Sequence, residues 1–200
     1  MEDVWRSIPP GHAVDELAHR FAREVAAEPG ASVLDVGCGD GRLATELERA
    51  GARVAGADPS RIAIERARAA LPGARFEQIG AAGRLPFDDS RFDAVTCIHV
   101  MQHVDDTQLI LSEMRRVLRP GGTLAVAVPN NGRVYRTVAS AAAFERLHDP
   151  LQPVVRFYTD RSLARLLEAF GFDHVEVRER GGVPLLRPLL AGVAQKPALR

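Results

Sequence analysis

The chain has 200 residues, 46% apolar and 26% charged, the size and balance of one globular domain with a full core. Its 26 basic and 26 acidic residues cancel, which leaves no net field to attract nucleic acid or an anionic membrane. Met1 to Ile8 mixes charged with apolar residues, unlike a secretory signal. No apolar run reaches the ~18 residues of a membrane span. The expected setting is therefore cytoplasmic, with Cys38 and Cys97 reduced.

Short apolar runs alternate with helical stretches. A helix is expected from His12 to Ala27, with Val14, Leu17, Ala18, Phe21 and Val25 on its apolar face and Pro29-Gly30 ending it. Ser32 to Val36 reads as a buried strand running into a glycine-rich loop. A helix follows from Arg42 to Ala50, then a strand from Arg53 to Asp58. Ser60 can cap a helix that runs to Leu71. Strands are expected at Arg75 to Ile79, Asp93 to Ile98 and Thr123 to Val128, with a helix from Asp105 to Leu118 stopped by Pro120-Gly121-Gly122. A less regular stretch, Pro129 to Arg156, contains an expected helix from Arg133 to Leu147. Thr159 caps a helix ending at Gly171, and strands at His174 to Arg178 and Leu190 to Gln195 finish the chain. Such alternation implies an α/β fold, a mostly parallel sheet with helices on both faces. No internal repeat or linker divides the chain, so a single domain is expected.

In an open α/β sheet, ligands sit beyond the carboxyl ends of the strands, where the strand order reverses. The loop Gly37-Cys38-Gly39-Asp40-Gly41 occupies the first such position. Its glycines let backbone approach a ligand closely. A dinucleotide fold wants G-x-G-x-x-G, but Arg42 stands where the third glycine would pack. The pattern is instead Asp35-x-Gly37-x-Gly39-x-Gly41, with a carboxylate that can organise the loop and meet an amino group directly or through water. Asp58, at the end of the second strand, can accept both hydroxyls of a ribose; the competing reading is an aspartate that starts the turn Asp58-Pro59-Ser60.

Val33-Leu34-Asp35-Val36-Gly37-Cys38-Gly39-Asp40-Gly41 resembles motif I of the class I S-adenosylmethionine-dependent methyltransferases. Arg84-Leu85-Pro86-Phe87, Phe92-Asp93-Ala94-Val95 and Arg116-Val117-Leu118-Arg119-Pro120-Gly121-Gly122 resemble further segments of that family in the right order. Phe157-Tyr158-Thr159 and Ala169-Phe170-Gly171-Phe172 resemble its C-terminal part. The similarity looks strongest to members acting on small molecules, of the methyltransferase type 11 kind. It implies a Rossmann-like, seven-stranded sheet in the order 3-2-1-4-5-7-6, with the seventh strand antiparallel. It also implies S-adenosylmethionine as methyl donor, S-adenosylhomocysteine as product, and methylation of an oxygen, nitrogen or carbon atom of a small acceptor. On this reading residues 1–29 are an N-terminal helical segment, 30–128 the cofactor-binding core, 129–158 an acceptor-side insertion, and 159–200 a C-terminal helix and strands.

Carried over residue by residue, the resemblance implies that Gly37, Cys38 and Gly39 touch the methionine part of the cofactor, Asp58 the ribose, and the backbone near His99 the sulfonium; Asp35 and Pro59 are further expected cofactor-binding residues. The family often places an acidic residue after the third strand for the adenine amino group. Here that position is Ala81, so backbone of Ala81 and Ala82 is expected to meet the adenine edge. Methyl transfer is an in-line displacement from a good leaving group, so positioning supplies most of the rate. A hydroxyl or ammonium acceptor must also lose a proton, and His99 and His103 are the candidate bases; either can equally line the pocket or satisfy backbone. Arg133, Tyr135, Arg136, His148 and Tyr158 lie in or beside the stretch that covers the acceptor in this family, and Trp5 and Arg6 can fold over the site. Two thiols are too few to bind a metal alone, and none is expected. A nucleic-acid substrate is disfavoured, because Cys97-Ile98-His99-Val100 replaces the Asn/Asp-Pro-Pro-Tyr/Phe motif of base-amino methylation. Two readings compete: a nicotinamide-dependent oxidoreductase, and a non-catalytic relative that binds the cofactor or scaffolds a partner.

Overall fold

A computed structural model describes residues 5–6, 15–80, 84–130, 154–182 and 187–198. Seven strands form one sheet: β1 (Ser32–Val36), β2 (Arg53–Asp58), β3 (Arg75–Gln78), β4 (Phe92–Ile98), β5 (Leu118–Pro129), β6 (Asp173–Arg180) and β7 (Leu189–Gln195). Their order is β3-β2-β1-β4-β5-β7-β6. β1 pairs in parallel with β2 and β4, and β7 is antiparallel to both its neighbours. The order implied by the family resemblance is the one observed. Strand order reverses between β1 and β4, so the ends of these two strands open a crevice at the carboxyl edge.

Among the described residues, five α-helices described from end to end cover the two faces: α1 (Glu16–Ala26), α2 (Arg42–Arg49), α3 (Arg61–Ala70), α4 (Thr107–Val117) and α5 (Asp160–Ala169). Period-two alternation along the strands sorts the core. Val33, Val54 and Ala94 pack with Ala26, Leu43, Leu47 and Ile64 under α1, α2 and α3. Leu34, Val36, Val95 and Cys97 pack with Leu111, Met114, Leu163 and Leu167 under α4 and α5. Each fully buried leucine contributes roughly 1.5–3 kcal/mol. Cys38 belongs to the first cluster and Cys97 to the second. Both thiols are therefore buried and free on different sides of the sheet, and burial holds their pKa values above the usual range.

Most boundaries fall within two residues of expectation; the starts of α1 and β5 and the end of β6 show the physical cause of the difference. α1 begins at Glu16, where Asp15 caps it through hydrogen bonds from the Leu17 and Ala18 amides; residues 12–14 lie outside the described set. β5 begins at Leu118 rather than Thr123. Pro120-Gly121-Gly122 ends α4 but stays in the sheet, because the Gly121 amide donates to the Lys196 carbonyl and the Lys196 amide to that of Gly122. A register shift between Phe92 and Ala94 absorbs the extra residues. Lys196, the sole lysine, also donates from Nζ to the Leu118 carbonyl at 2.6 Å, a structural use of its ammonium. β6 runs to Arg180, two residues beyond its expected end. The helix expected at 133–147 lies outside the described residues.

Candidate active site

The glycine loop is hooked onto the end of β2: the Gly37 and Cys38 amides donate to the Ala57 carbonyl at 2.7 and 3.1 Å. Gly37, Gly39 and Gly41 all have positive φ, +77°, +54° and +80°, conformations that suit glycine. A Cβ on Gly37 would lie 2.0 Å from the Val100 side chain, and one on Gly41 would lie 3.0 Å from Ala67 in α3. A Cβ on Gly39 would meet two indole carbons of Trp5 at 2.8 Å. The loop thus threads between the β4 end, α3 and Trp5. α2 starts directly after it with no side-chain cap, and the first amides of such a helix favour an anionic group.

Two carboxylates support the loop. One Asp58 oxygen accepts from the Gly39 amide at 3.1 Å and the other from the Ser60 amide at 2.8 Å. Asp58 thus joins the glycine loop to the turn that leads into α3, which Ser60 caps. Pro59 follows it in this turn, its carbonyl accepting from Gln78. Asp35 is only 2% exposed and accepts a hydrogen bond from the Thr96 hydroxyl at 2.7 Å. Burial pushes its carboxyl up to about 7; the Thr96 bond opposes the shift and Asp58 adds to it.

His99 lies just past β4, with its amide bound to the Ala127 carbonyl. Its φ is +56°, uncommon for a non-glycine residue and a mark of a constrained site. Its Nε2 lies 2.9 Å from Asp15 Oδ2, across 84 positions of sequence. His103 stands in the 3-10 turn Met101–His103. Tyr158 is buried, and its hydroxyl donates to the Met101 carbonyl at 3.2 Å, so it braces this turn. The amides of Val155 and Arg156 donate to the Gln102 carbonyl.

The structure therefore gathers Asp35, Gly37, Cys38, Gly39, Asp58, Pro59 and His99 at the adjoining ends of β1, β2 and β4, with His103 in the turn beyond. Ala81, Ala82, Arg133, Tyr135, Arg136 and His148 lie outside the described residues. Sequence reasoning missed Asp15 and Thr96. An aspartate before Glu16-Leu17-Ala18 is a cap signal, but nothing local announces a partner 84 residues away. Among the described residues, no group of three or more metal-binding side chains occurs. A separate cleft between α1 and β6 is lined by Arg20, Arg178, Arg180 and Arg187. Glu24 pairs with Arg20 and Arg180, Glu176 with Arg178, and the Glu179 carbonyl accepts from Arg187.

The glycine cradle, the carboxylate at the β2 end and the uncapped α2 terminus fit a ligand with a ribose and an anionic end. S-adenosylmethionine has both. Comparison with known proteins agrees. A methyltransferase-domain family matches residues 7–177. Methyltransferase GfsG of Streptomyces halstedii is 33% identical over 184 residues, 89% of this chain and 62% of that protein. A ubiquinone biosynthesis O-methyltransferase of Cupriavidus pinatubonensis is 29% identical over 183 residues, covering 88% and 74%. An S-adenosylmethionine-dependent methyltransferase structure from Mesorhizobium loti superposes with a TM-score of 0.70 at 21% identity, covering 92% of this chain and all of that one. Loop, strand order and family match coincide: the chain belongs to the class I S-adenosylmethionine-dependent methyltransferases.

Proposed function

We propose that the protein transfers the methyl group of S-adenosylmethionine to an oxygen, nitrogen or carbon atom of a small-molecule acceptor. The observation that carries this reading is the loop from Gly37 to Gly41, folded against β2 and held by the Asp58 carboxylate at the switch point of the sheet. The cofactor supplies a methyl group on a sulfonium, which leaves as a neutral thioether. Gly37, Cys38 and Gly39 hold its methionine part, and Asp35 offers a buried carboxylate to the amino group. Asp58 and Pro59 face the ribose, and backbone of Ala81 and Ala82 the adenine. The proposed setting is the cytoplasm, where the free Cys38 and Cys97 thiols stay reduced. Residues 30–128 act as the cofactor core and 129–158 as the acceptor side.

His99 is the proposed base for an acceptor that must lose a proton. With Nε2 donating to Asp15, Nδ1 keeps its lone pair and takes that proton. His103 is the second candidate, one turn further from the crevice. Calorimetry tests the function directly. S-adenosylmethionine and S-adenosylhomocysteine should bind and NADH should not. Tight NADH binding without either adenosyl ligand would establish the oxidoreductase reading instead. Transfer of a labelled methyl group to any acceptor would remove the scaffold reading.

A further inference from the structure

We propose that the cleft between α1 and β6 holds an anionic group of the acceptor, a carboxylate or phosphate remote from the methylated atom, through Arg180 and Arg187. This rests on the methyltransferase reading above. The cleft has a volume of about 660 Å³, within the usual range of small-molecule sites. Among the described residues, four arginines and two glutamates line it, in a chain whose total charge is zero. The Glu24 carboxylate is shared between Arg20 and Arg180, and that of Glu179 accepts from the buried Asn130 amide at 3.0 Å. Even with Glu176 counted, which pairs with Arg178 from outside the lining, cations remain in excess. Arg187 donates at 3.1 Å to the main-chain carbonyl of Glu179, a neutral acceptor.

Both guanidiniums are positioned before a ligand arrives. Arg180 lies over the Phe21 ring, 5.2 Å from its centroid, with Nη1 on Glu24 at 3.0 Å. The Arg187 carbonyl accepts from the Asn130 amide at 2.8 Å, which ties the approach to β7 to the end of β5. An arginine fork matches two oxygens of a carboxylate or phosphate, and restrained side chains lose little freedom on binding. The cleft opens at the same edge of the sheet as the candidate active site. Leu189, where β7 begins, pairs with Pro129 at the end of β5 and with Arg180 at the end of β6. The His99 amide is bound two residues earlier on β5, at Ala127. α1 serves both places: Asp15 caps it and meets His99, and Leu17 lines the cleft. β7 is two strands from β4, a separation of roughly 10 Å. A ring with a short acidic chain spans it.

Benzoate and phenyl phosphate serve as probes, titrated by calorimetry into the intact protein saturated with S-adenosylhomocysteine at constant ionic strength. Each should bind saturably. Arg187→Gln and Arg180→Gln should weaken both by roughly 3- to 30-fold, whereas Arg165→Gln, which removes the same charge from α5, should not. Circular dichroism checks that the variants remain folded. A second arm reads the acceptor. A deproteinised small-molecule extract of the source cells, incubated with the protein and labelled S-adenosylmethionine, should yield a labelled product retained by an anion-exchange resin. Loss of retention after alkaline phosphatase assigns a phosphate, and persistence a carboxylate. Absence of probe binding at millimolar concentration, or equal binding by wild type and both cleft variants, would overturn the anion site. A labelled product that passes through the resin would overturn the acceptor assignment. Failure of the wild type to bind either adenosyl ligand would instead bring down the methyltransferase reading, and the acceptor role with it.

Discussion

His99 combines a functional position with an unusual backbone. A φ of +56° is tolerated best by asparagine among residues with a side chain. His99→Asn therefore removes the imidazole without adding the backbone strain of His99→Ala. For an oxygen or nitrogen acceptor that loses a proton, kcat should fall by about 10²–10⁴-fold, while calorimetric affinity for S-adenosylhomocysteine changes little. A matching loss of affinity would assign His99 to ligand binding rather than proton transfer. Asp35 makes a different test. Its carboxyl is pushed up to about 7 from 3.8 by burial, so the folded state holds its proton more tightly than the unfolded chain. Stability on this account is greatest at acid pH, falls as pH rises from about 4 to 7, and stays low above. Asp35→Asn lacks that cost. It should stabilise the fold relative to wild type at pH 8 by on the order of a few kcal/mol, seen as a raised Tm, and the gain should shrink towards pH 5. A gain independent of pH would show that the carboxyl is not neutral in the fold.

At the scale of elements, the segment from residue 84 to β4 depends on α4. Glu113 is buried and accepts from the Leu85 amide at 2.8 Å. Arg116 binds Glu113, the carbonyls of Leu85 and Phe87, and Asp89. Arg116→Ala leaves the Glu113 carboxylate half-satisfied and frees the two carbonyls, so it should cost about 2–3 kcal/mol in denaturant unfolding. The Arg116 hydrogen bond holds the Glu113 carboxyl below its usual range. Its contribution is complete above about 4.5 and is lost as pH falls below that value, so wild type and variant should converge in acid. The sequence segments around Leu85 and Arg116 could be matched to the family without revealing why they occur together; the network is the reason. Helix and strand identity was legible because periodicity and the Ser60 and Thr159 caps are local signals. The β5 start was not, because Pro120-Gly121-Gly122 reads as a stop until the Lys196 backbone is seen to pair with it. Nor was the Asp15–His99 pair, since it is made by the fold and by no short pattern. Cys97 lies near the end of β4 and Cys38 in the loop after the neighbouring β1, but the two thiols pack into clusters on different sides of the sheet. The glycine loop was legible because positive φ dictates glycine, and Asp58 as the start of the turn to Ser60; its bond from the Gly39 amide was not, because it links residues 19 positions apart.

For the whole molecule, the proposed ligand is a staple. In the proposed mode its parts would touch residues from the ends of β1, β2 and β4, which lie in different segments of the sequence but at one crevice of the sheet. A ligand bound only by the folded state stabilises it by mass action, about 2.7 kcal/mol at a hundred times Kd. At this chain length that is a rise in Tm of roughly 5–10 °C. S-adenosylhomocysteine should produce it and NADH should not. The proton on Asp35 makes the effect depend on pH. An ammonium group near Asp35 favours the ionised carboxyl, whereas the free protein holds the carboxyl neutral below about 7. Binding below that pH must therefore release a proton, and Kd should rise by up to about tenfold for each unit of acidification. Above it, Kd should level off. Calorimetry in two buffers of different ionisation enthalpy at pH 6 should detect the released proton, and Asp35→Asn should abolish both the proton release and the pH dependence. A wild-type Kd that stays flat from pH 6 to 8 would separate the Asp35 carboxyl from the amino group, leaving it the structural role of holding Thr96 beneath the loop.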